Sequence, residues 1–435
     1  MHYLLAIWDG GGSVPPQLAL VRGLVDRGHT ATVLADPILE PEVVATGAEF
    51  RPWRRAPHRR DQADVVADDR GLRSPSKLVQ LLLDKVVAGP AADFAADVLE
   101  ADRERRSDAV LAEMPLLGAL AAGLALGRPT VGLVTCCYAA PHPDLPPFGS
   151  GLGPSVGPLS RVRNRLVAGV AQRLWDRGIP DLDEARRGLG LPPVGAHLWD
   201  QLHELDRLLV LTSPDFDFRC ESLPPNVRYV GPQLADPAWA GAALALPAGT
   251  EPLVLVSGSS TYMDQVDLLR RTVRALHDQP VRVLVTTGPT IDPGEVTAGL
   301  PERPGVLVVR SAPHAAVLPH ASVVVSHGGH GTVMKSLAAG VPVVCLPLGR
   351  DQPDNAARLV ATGAGMRLKP TAGPGAIAAA VRRVLADPSY GSAAGALGRS
   401  IGAQAASGAA LDELEEVARR GRGLTTEAGV VPTEG

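Results

Sequence analysis

Short aliphatic and β-branched runs alternate with longer segments of helical period along nearly the whole chain, which limits the folds open to it more than any single residue does. Such an order builds parallel sheets covered by helices, because parallel neighbours need a long crossover between them. In the first half the pattern predicts strands near 2–8, 30–35, 48–53, 108–114, 130–136 and 207–212, with helices over 16–27, 116–126 and 159–175. From 231 to 251 the period dissolves into Pro, Ala and Gly, a linker composition. A second alternation follows, with strands near 252–257, 281–287, 305–309, 322–326, 341–346 and 366–368 and helices over 264–277, 331–339 and 355–362. The expected class is α/β, with two doubly wound Rossmann-like domains, 1–230 and 252–402, facing a central cleft. A C-terminal helix within 403–420, expected to pack back on the first domain, precedes a flexible tail at 421–435.

With 435 residues, the chain exceeds what one core usually serves, which agrees with two domains. A net charge of −4 offers no basic field for nucleic acid or an anionic membrane. The longest apolar stretch, 116–127, is interrupted by Arg128 and is too short to span a bilayer. The N-terminus lacks a basic segment before its short apolar run, so no signal peptide is expected and the protein should be cytoplasmic and soluble, a monomer or homodimer. Cys136, Cys137, Cys220 and Cys345 have no zinc or CxxC spacing, and reduced thiols are expected.

The stretch "SHGGHGTVMKSLAAGVP", 326–342, is a strand-to-helix turn of small residues around His327 and His330. A metal reading is poor: the intervening glycines favour a loop, and no acidic or cysteine ligand sits nearby. A phosphate reading has a mechanism, since glycines admit an anion to the backbone and the N-terminus of the following helix presents N–H groups and a positive dipole end. Thr332 adds a hydroxyl in the first turn. A plain tight connection between strand and helix explains the same glycines.

The wider segment 310–368 contains, in order, "APH", "HGGHGT", "GVP" and "DQPDNA". It resembles the nucleotide-sugar signature of the UDP-glycosyltransferase superfamily, family 1, and most of all the bacterial natural-product glycosyltransferases. "GSVPP" at 12–16, before a helix ending in "RGH", is similar to the family's N-terminal half. The resemblance implies the GT-B fold and an inverting transfer of a sugar from a dTDP- or UDP-sugar to a hydroxyl of a small, largely apolar acceptor. It implies no metal and no other cofactor. Carried onto this sequence, Ala312, Pro313 and His314 face the base and ribose, while His327, Gly329, His330, Gly331 and Thr332 lie along the diphosphate. Ser257, Gly258 and Ser259 form a second phosphate-side loop. Asp351 and Gln352 hold hydroxyls of the donor sugar, and Asn355 lies near the phosphates or ribose.

Two positions depart from the family pattern. Ser13 stands where the family usually has a catalytic histidine, and a serine hydroxyl is a poor base at neutral pH. Glu113 falls where the partner acid is expected, and Asp9 lies four residues before Ser13 on the "DGGGS" loop, so both carboxylates are candidates for the base. Each has a structural reading as a cap or a solvated strand end. His142, in "APHPDLPPF", is a further acceptor-side candidate, more simply a loop residue. Lys335 replaces a ribose-binding glutamate and cannot accept a hydrogen bond, which suits a deoxyribose donor. It either turns to solvent or reaches a phosphate. The charge-dense run "RPWRRAPHRR", 51–60, reads as a solvated loop or as a lid over the acceptor. The rival functions are a GT-B nucleotide-sugar epimerase or hydrolase, with extra acids and no open acceptor pocket, and a degenerate partner subunit lacking a base.

Overall fold

The computed structural model describes residues 1–427 except 62, 63, 70, 73, 243, 260–262 and 264, and the backbone alone at 422–427. The first sheet takes β1 (His2–Ala6), β2 (Thr30–Ala35), β3 (Glu49–Pro52), β4 (Ala109–Glu113), β5 (Thr130–Val134), β6 (Arg207–Val210) and β7 (Val227–Tyr229). Its order is β3-β2-β1-β4-β5-β6-β7, parallel throughout. The second takes β8 (Leu253–Ser257), β9 (Arg282–Thr286), β10 (Val306–Val309), β11 (Ala321–Ser326), β12 (Val343–Cys345) and β13 (Gly365–Arg367). It is also parallel, in the order β10-β9-β8-β11-β12-β13. Each sheet is doubly wound, as the alternation implied.

The strands read as unbroken apolar runs because both faces are covered. In β1 the period of two is visible in the packing. Tyr3 and Leu5 enter one core with the helix Val14–Asp26, and Leu4 and Ala6 enter the other with Phe94, Val98 and Leu120. The helix Ala91–Glu104, which the sequence pattern did not single out, buries Ala91, Phe94, Ala95, Val98 and Ala101. Alanines give that face too little contrast with the charged one to stand out by periodicity. β7, the helices Pro75–Leu82 and Ile179–Gly188, and the pair Pro374–Ala386 and Pro388–Ala406 were likewise unread. The helix expected to begin at 264 starts at Val266, and residue 264 itself lies outside the described residues.

The chain crosses between the domains twice, once near Gly231 and once near Gln404. The two crossings touch: a Cβ on Gly231, whose φ is +78°, would lie 2.8 Å from the Gln404 carbonyl. The last helix, Ala409–Glu427, returns to the first domain, burying Leu414 and Val417 among Tyr3, Leu20 and Leu111. Such side chains contribute about 1.5–3 kcal/mol each when fully buried. Arg27 pairs with Asp412 at 2.6 Å, His29 with Glu415 at 3.0 Å and Arg207 with Glu413 at 2.8 Å, which fixes the helix in register. It runs past residue 421, where a tail was expected, and 428–435 lie outside the described residues.

A buried ion pair joins the two domains directly. Arg358, on the helix Gln352–Ala361, donates through Nε to Asp217 Oδ1 at 2.7 Å, with its guanidinium 4.3 Å from the Phe218 ring centre. Asp217 also accepts the Tyr138 N–H at 2.8 Å and the Tyr229 hydroxyl at 2.9 Å, so the charge is fully hydrogen-bonded. Removing one partner strands the other in an apolar setting. Arg358→Ala is expected to cost about 3–5 kcal/mol of unfolding free energy in a urea titration; a loss below about 1 kcal/mol contradicts this role.

Candidate functional site

In a doubly wound sheet the strand order reverses at one place, and the loops leaving the two strands there open a crevice. In the first sheet that place lies between β1 and β4, and in the second between β8 and β11. Ser13 follows β1, Glu113 ends β4, Ser257 ends β8 and His327 follows β11. All four line one cavity of about 640 Å³ between the domains.

On the first-domain side, the loop after β1 leads into the helix Val14–Asp26, with Ser13 at its N-cap. A serine there usually caps with its hydroxyl. Here it makes no cap bond, and the hydroxyl donates instead to Glu113 Oε2 at 3.3 Å. Gln17 Nε2, one helical turn on, donates to the same oxygen at 3.3 Å, and Thr135 Oγ1 donates to Oε1 at 3.4 Å. Burial pushes the Glu113 carboxyl up to about 7, against the pull of these three hydrogen bonds, and the charge on Asp9 adds to the rise. Asp9 is held elsewhere: its carboxylate accepts the Gly11 N–H at 3.0 Å and pairs with Arg59, and it does not line the cavity. Loop geometry had made Asp9 an equal candidate. The structure brings Ser13 and Glu113 together and commits Asp9 to an ion pair.

The 51–60 run keeps Arg54, Arg55 and Arg60 exposed to solvent, as a solvated loop would, but its backbone is anchored. Trp53 is buried edge-on against Phe94, the backbone N–H groups of Arg54, Arg55 and Ala56 donate to Asp97, and Arg59 takes Asp9. The loop continues to Asp69, which pairs with Arg350 of the second domain at 2.8 Å.

On the second-domain side, the helix His330–Ala338 starts at the glycine turn with Gly329 as an N-cap and no side-chain cap. Gly328, at φ +90°, packs so closely that a Cβ would lie 2.3 Å from Cys345 Sγ, and a Cβ on Gly258 would meet the Thr287 carbonyl at 2.6 Å. Gly331 is different: a Cβ there would meet nothing within 4 Å. Packing therefore requires glycine at Gly328 and Gly258 but not at Gly331, where it leaves the first helical turn bare towards the cavity. Thr332 Oγ1 lies 3.5 Å from Ser257 Oγ. Burial pushes His327, His330 and His314 down to about 4, so all three imidazoles are neutral at pH 7. His330 spends Nε2 on Thr212 of the first domain at 2.8 Å.

Asp351 accepts from Asn355 Nδ2 at 2.7 Å, and burial raises its pKa. Gln352 Oε1 accepts the Leu348 and Gly349 N–H groups at 2.8 and 3.1 Å. Ser257, Gly258, Ser259, Ala312, His314, His327, Gly329, His330, Gly331, Thr332, Asp351 and Gln352 all line the cavity, whereas Pro313 and Asn355 do not. Asn355 reaches the site only through Asp351 and the Gly328 carbonyl, the latter at 2.9 Å. His142 lines the cavity, but both its nitrogens are engaged, Nε2 with the Ser222 carbonyl at 2.8 Å and Nδ1 with the Asp144 N–H at 3.2 Å. Lys335 neither turns to solvent nor stands free for a phosphate, because its Nζ pairs with Asp236 at 2.6 Å. Asp236, from the linker, also lines the cavity and carried no sequence signal. Gln17, by contrast, was findable as the fourth residue after Ser13. The rest of the wall is largely apolar, with Val79, Leu82, Val86, Met114, Trp175 and Trp199 among its residues, and also carries Asp69, Gln172, Gln233 and Arg350.

Residues 284–417 match the family model for the erythromycin biosynthesis protein CIII-like C-terminal domain. The chain is 30% identical to 4'-demethylrebeccamycin synthase of Lentzea aerocolonigenes, over 89% of this chain and 92% of that one. It is also 30% identical to the O-mycaminosyltylonolide 6-deoxyallosyltransferase of Streptomyces fradiae, over 93% and 94%. Among solved structures it superposes on the calicheamicin glycosyltransferase CalG4 with a TM-score of 0.75 at 24% identity, covering 96% of this chain and 98% of that one. With the spinosyn rhamnosyltransferase SpnG complexed with thymidine diphosphate the TM-score is 0.64 at 22% identity, covering 95% and 100%.

The two glycines of the turn separate packing from ligand access. Gly328→Ala should lower stability by about 1–3 kcal/mol through the clash and the positive φ. Gly331→Ala should leave stability unchanged or raise it by up to about 1 kcal/mol, since alanine is the better helix residue. Urea unfolding of both variants checks this, and a large loss at Gly331 contradicts the assignment.

Proposed function

The chain belongs to the UDP-glycosyltransferase superfamily, family 1, and we propose that it moves a sugar from a dTDP- or UDP-sugar to a hydroxyl of a small, largely apolar natural product, with inversion and without a metal at the diphosphate. One observation carries this reading: a near-neutral carboxyl, Glu113, faces an uncapped helix start across a cavity whose acceptor side is apolar. A single displacement needs those two poles, a base for the acceptor and a sink for the leaving group's charge. Glu113 takes the acceptor proton directly or through Ser13, the acceptor oxygen bonds to the anomeric carbon, and the carbon–diphosphate bond breaks. The departing charge falls to His327, the N–H groups of the first turn at Gly331 and Thr332, and the Ser257 hydroxyl. Fixed, water-excluded donors of this kind do the work of a cation. Asp351 and Gln352, both on the cavity wall, would take hydroxyls of the donor sugar.

The open apolar pocket speaks against an epimerase or hydrolase, and the Ser13–Glu113 pair against a partner subunit without a base. Glu113→Gln should cut turnover at least ~10²-fold, the scale of a lost general base, with donor affinity nearly unchanged. The base must be charged to act, so wild-type turnover should rise with pH through about 7, the value to which burial lifts Glu113. That rise should vanish in Glu113→Gln. Ser13→Ala and Asp9→Asn should cost less. A pH profile unaltered by Glu113→Gln removes it from the base role.

For the donor, the thymidine diphosphate held by a neighbouring structure and the Lys335–Asp236 pair both favour dTDP. Calorimetric titration should give dTDP at least the affinity of UDP, equally with magnesium or with EDTA, and His327→Ala should weaken both nucleotides. A strong UDP preference, or binding that requires the metal, overturns this part.

A further inference from the structure

Away from the Ser13–Glu113 pair, the loop after β5 and the loop after β6 bring together a side-chain cluster that glycosyl transfer does not use. His142, Asp144 and Cys220 each offer one ligand atom, and these atoms all lie within 4.8 Å of one another. Cys220 Sγ is 3.2 Å from His142 Nδ1 and 4.0 Å from Asp144 Oδ2, and His142 Nδ1 is 3.8 Å from Asp144 Oδ2. Tetrahedral zinc, with bonds of about 2.0–2.3 Å, holds its ligand atoms roughly 3.3–3.8 Å apart. The triangle matches to within a few tenths of an ångström. The thiol also lies 3.3 Å from Nε2, so it sits over the imidazole and must turn about its Cα–Cβ bond towards Nδ1 before the two share an ion.

The histidine's tautomer suits a ligand. Nε2 meets the Ser222 carbonyl at 2.8 Å and must donate to it, while Nδ1 accepts the Asp144 N–H at 3.2 Å and so carries the lone pair, which an ion takes by displacing that N–H. A metal-bound histidine characteristically gives its second N–H to such a carbonyl. A nucleophilic Cys–His–Asp relay needs the opposite arrangement, with the acid on the nitrogen remote from the thiol. Here the carboxylate lies towards Nδ1, the thiol is as near to one nitrogen as to the other, and a backbone carbonyl, not an acid, holds Nε2. The His142 side chain is 8% exposed and that of Asp144 46%, so an ion enters from the Asp144 side and retains an open, water-filled position.

The geometry points to a zinc-class divalent cation site formed by His142 Nδ1, Asp144 Oδ2 and Cys220 Sγ, which staples the loop after β5 to the loop after β6. His142, Leu145 and Phe148 of the first loop line the cavity, so the ion sets the shape of the acceptor wall. It takes no part at the diphosphate, which lies across the cleft. On binding, the Cys220 thiol loses its proton to solvent, and the thiolate bonds to the metal.

The test uses the full chain, stripped of metal and titrated with Co²⁺ and then Zn²⁺. The expected result is one Co²⁺ per chain with a thiolate-to-cobalt charge-transfer absorption, displaced by Zn²⁺, together with a higher melting temperature in Zn²⁺. Cys220→Ser should abolish the absorption, whereas Cys136→Ser should keep it. Asp144→Ala, at a half-exposed position, should weaken binding at least about tenfold, since even outer-shell changes cost that much. It carries the test if Cys220→Ser does not fold. Absence of the absorption at one equivalent, its survival in folded Cys220→Ser, or unchanged affinity in Asp144→Ala overturns the site. None of these readouts depends on glycosyl transfer, so failure here leaves the function above untouched.

Discussion

The cleft exists in its present form because Arg358 and Asp217 meet in the interior. Each charge is costly to bury alone, and the pair persists because Tyr138, Tyr229 and the Phe218 ring complete its surroundings. The helix bearing Arg358 begins at Gln352 and holds Asn355 in its first turn, so locking Arg358 also sets the cavity wall at Gln352. On the same helix Asp354 accepts N–H groups from Gly149 and Gly151 of the first domain, the latter at 2.8 Å. A loop of the first domain is thus tied to a helix of the second. His330, at the head of the glycine turn, does likewise through Thr212.

Much of this could be read from the sequence because it is local in the chain. The alternation of strands and helices, the glycine turn and the "DQPDNA" segment all lie within short windows, where period and spacing carry information. The pairing of Ser13 with Glu113, 100 residues apart, was legible only through resemblance. Asp9 and Glu113 looked alike in sequence. Arg59, which takes Asp9 out of contention, comes from a loop that the pattern left undefined. Asp236 sits in a linker without period, and nothing nearby marked it as the partner of Lys335. The cysteines lacked zinc spacing because Cys220 meets His142 across 78 residues, from a different strand end. Spacing rules detect sites built on one hairpin or helix, not sites closed by tertiary contact.

The glycines make the same distinction at atomic scale. A sequence cannot say which glycine in "HGGHG" is needed for the protein's own packing. The space around each one can. Gly328 has no room for a methyl group and a backbone twist that disfavours one, while Gly331 has ample room. The residue that the fold could spare is the one that lines the cavity at the first helical turn.

The double crossing at Gly231 and Gln404 has a consequence for recombination. The second domain is an insertion within the first, because the last helix, Ala409–Glu427, completes the first domain's core. A chimera that exchanges everything after the linker would carry a foreign helix onto Tyr3 and Leu111, with Arg27, His29 and Arg207 facing unmatched partners. The second domain is therefore transplanted cleanly only as a cassette with two junctions, both at the point where Gly231 and Gln404 touch. Shuffling by a single breakpoint would select against itself, since the hybrids it makes begin with a broken first domain.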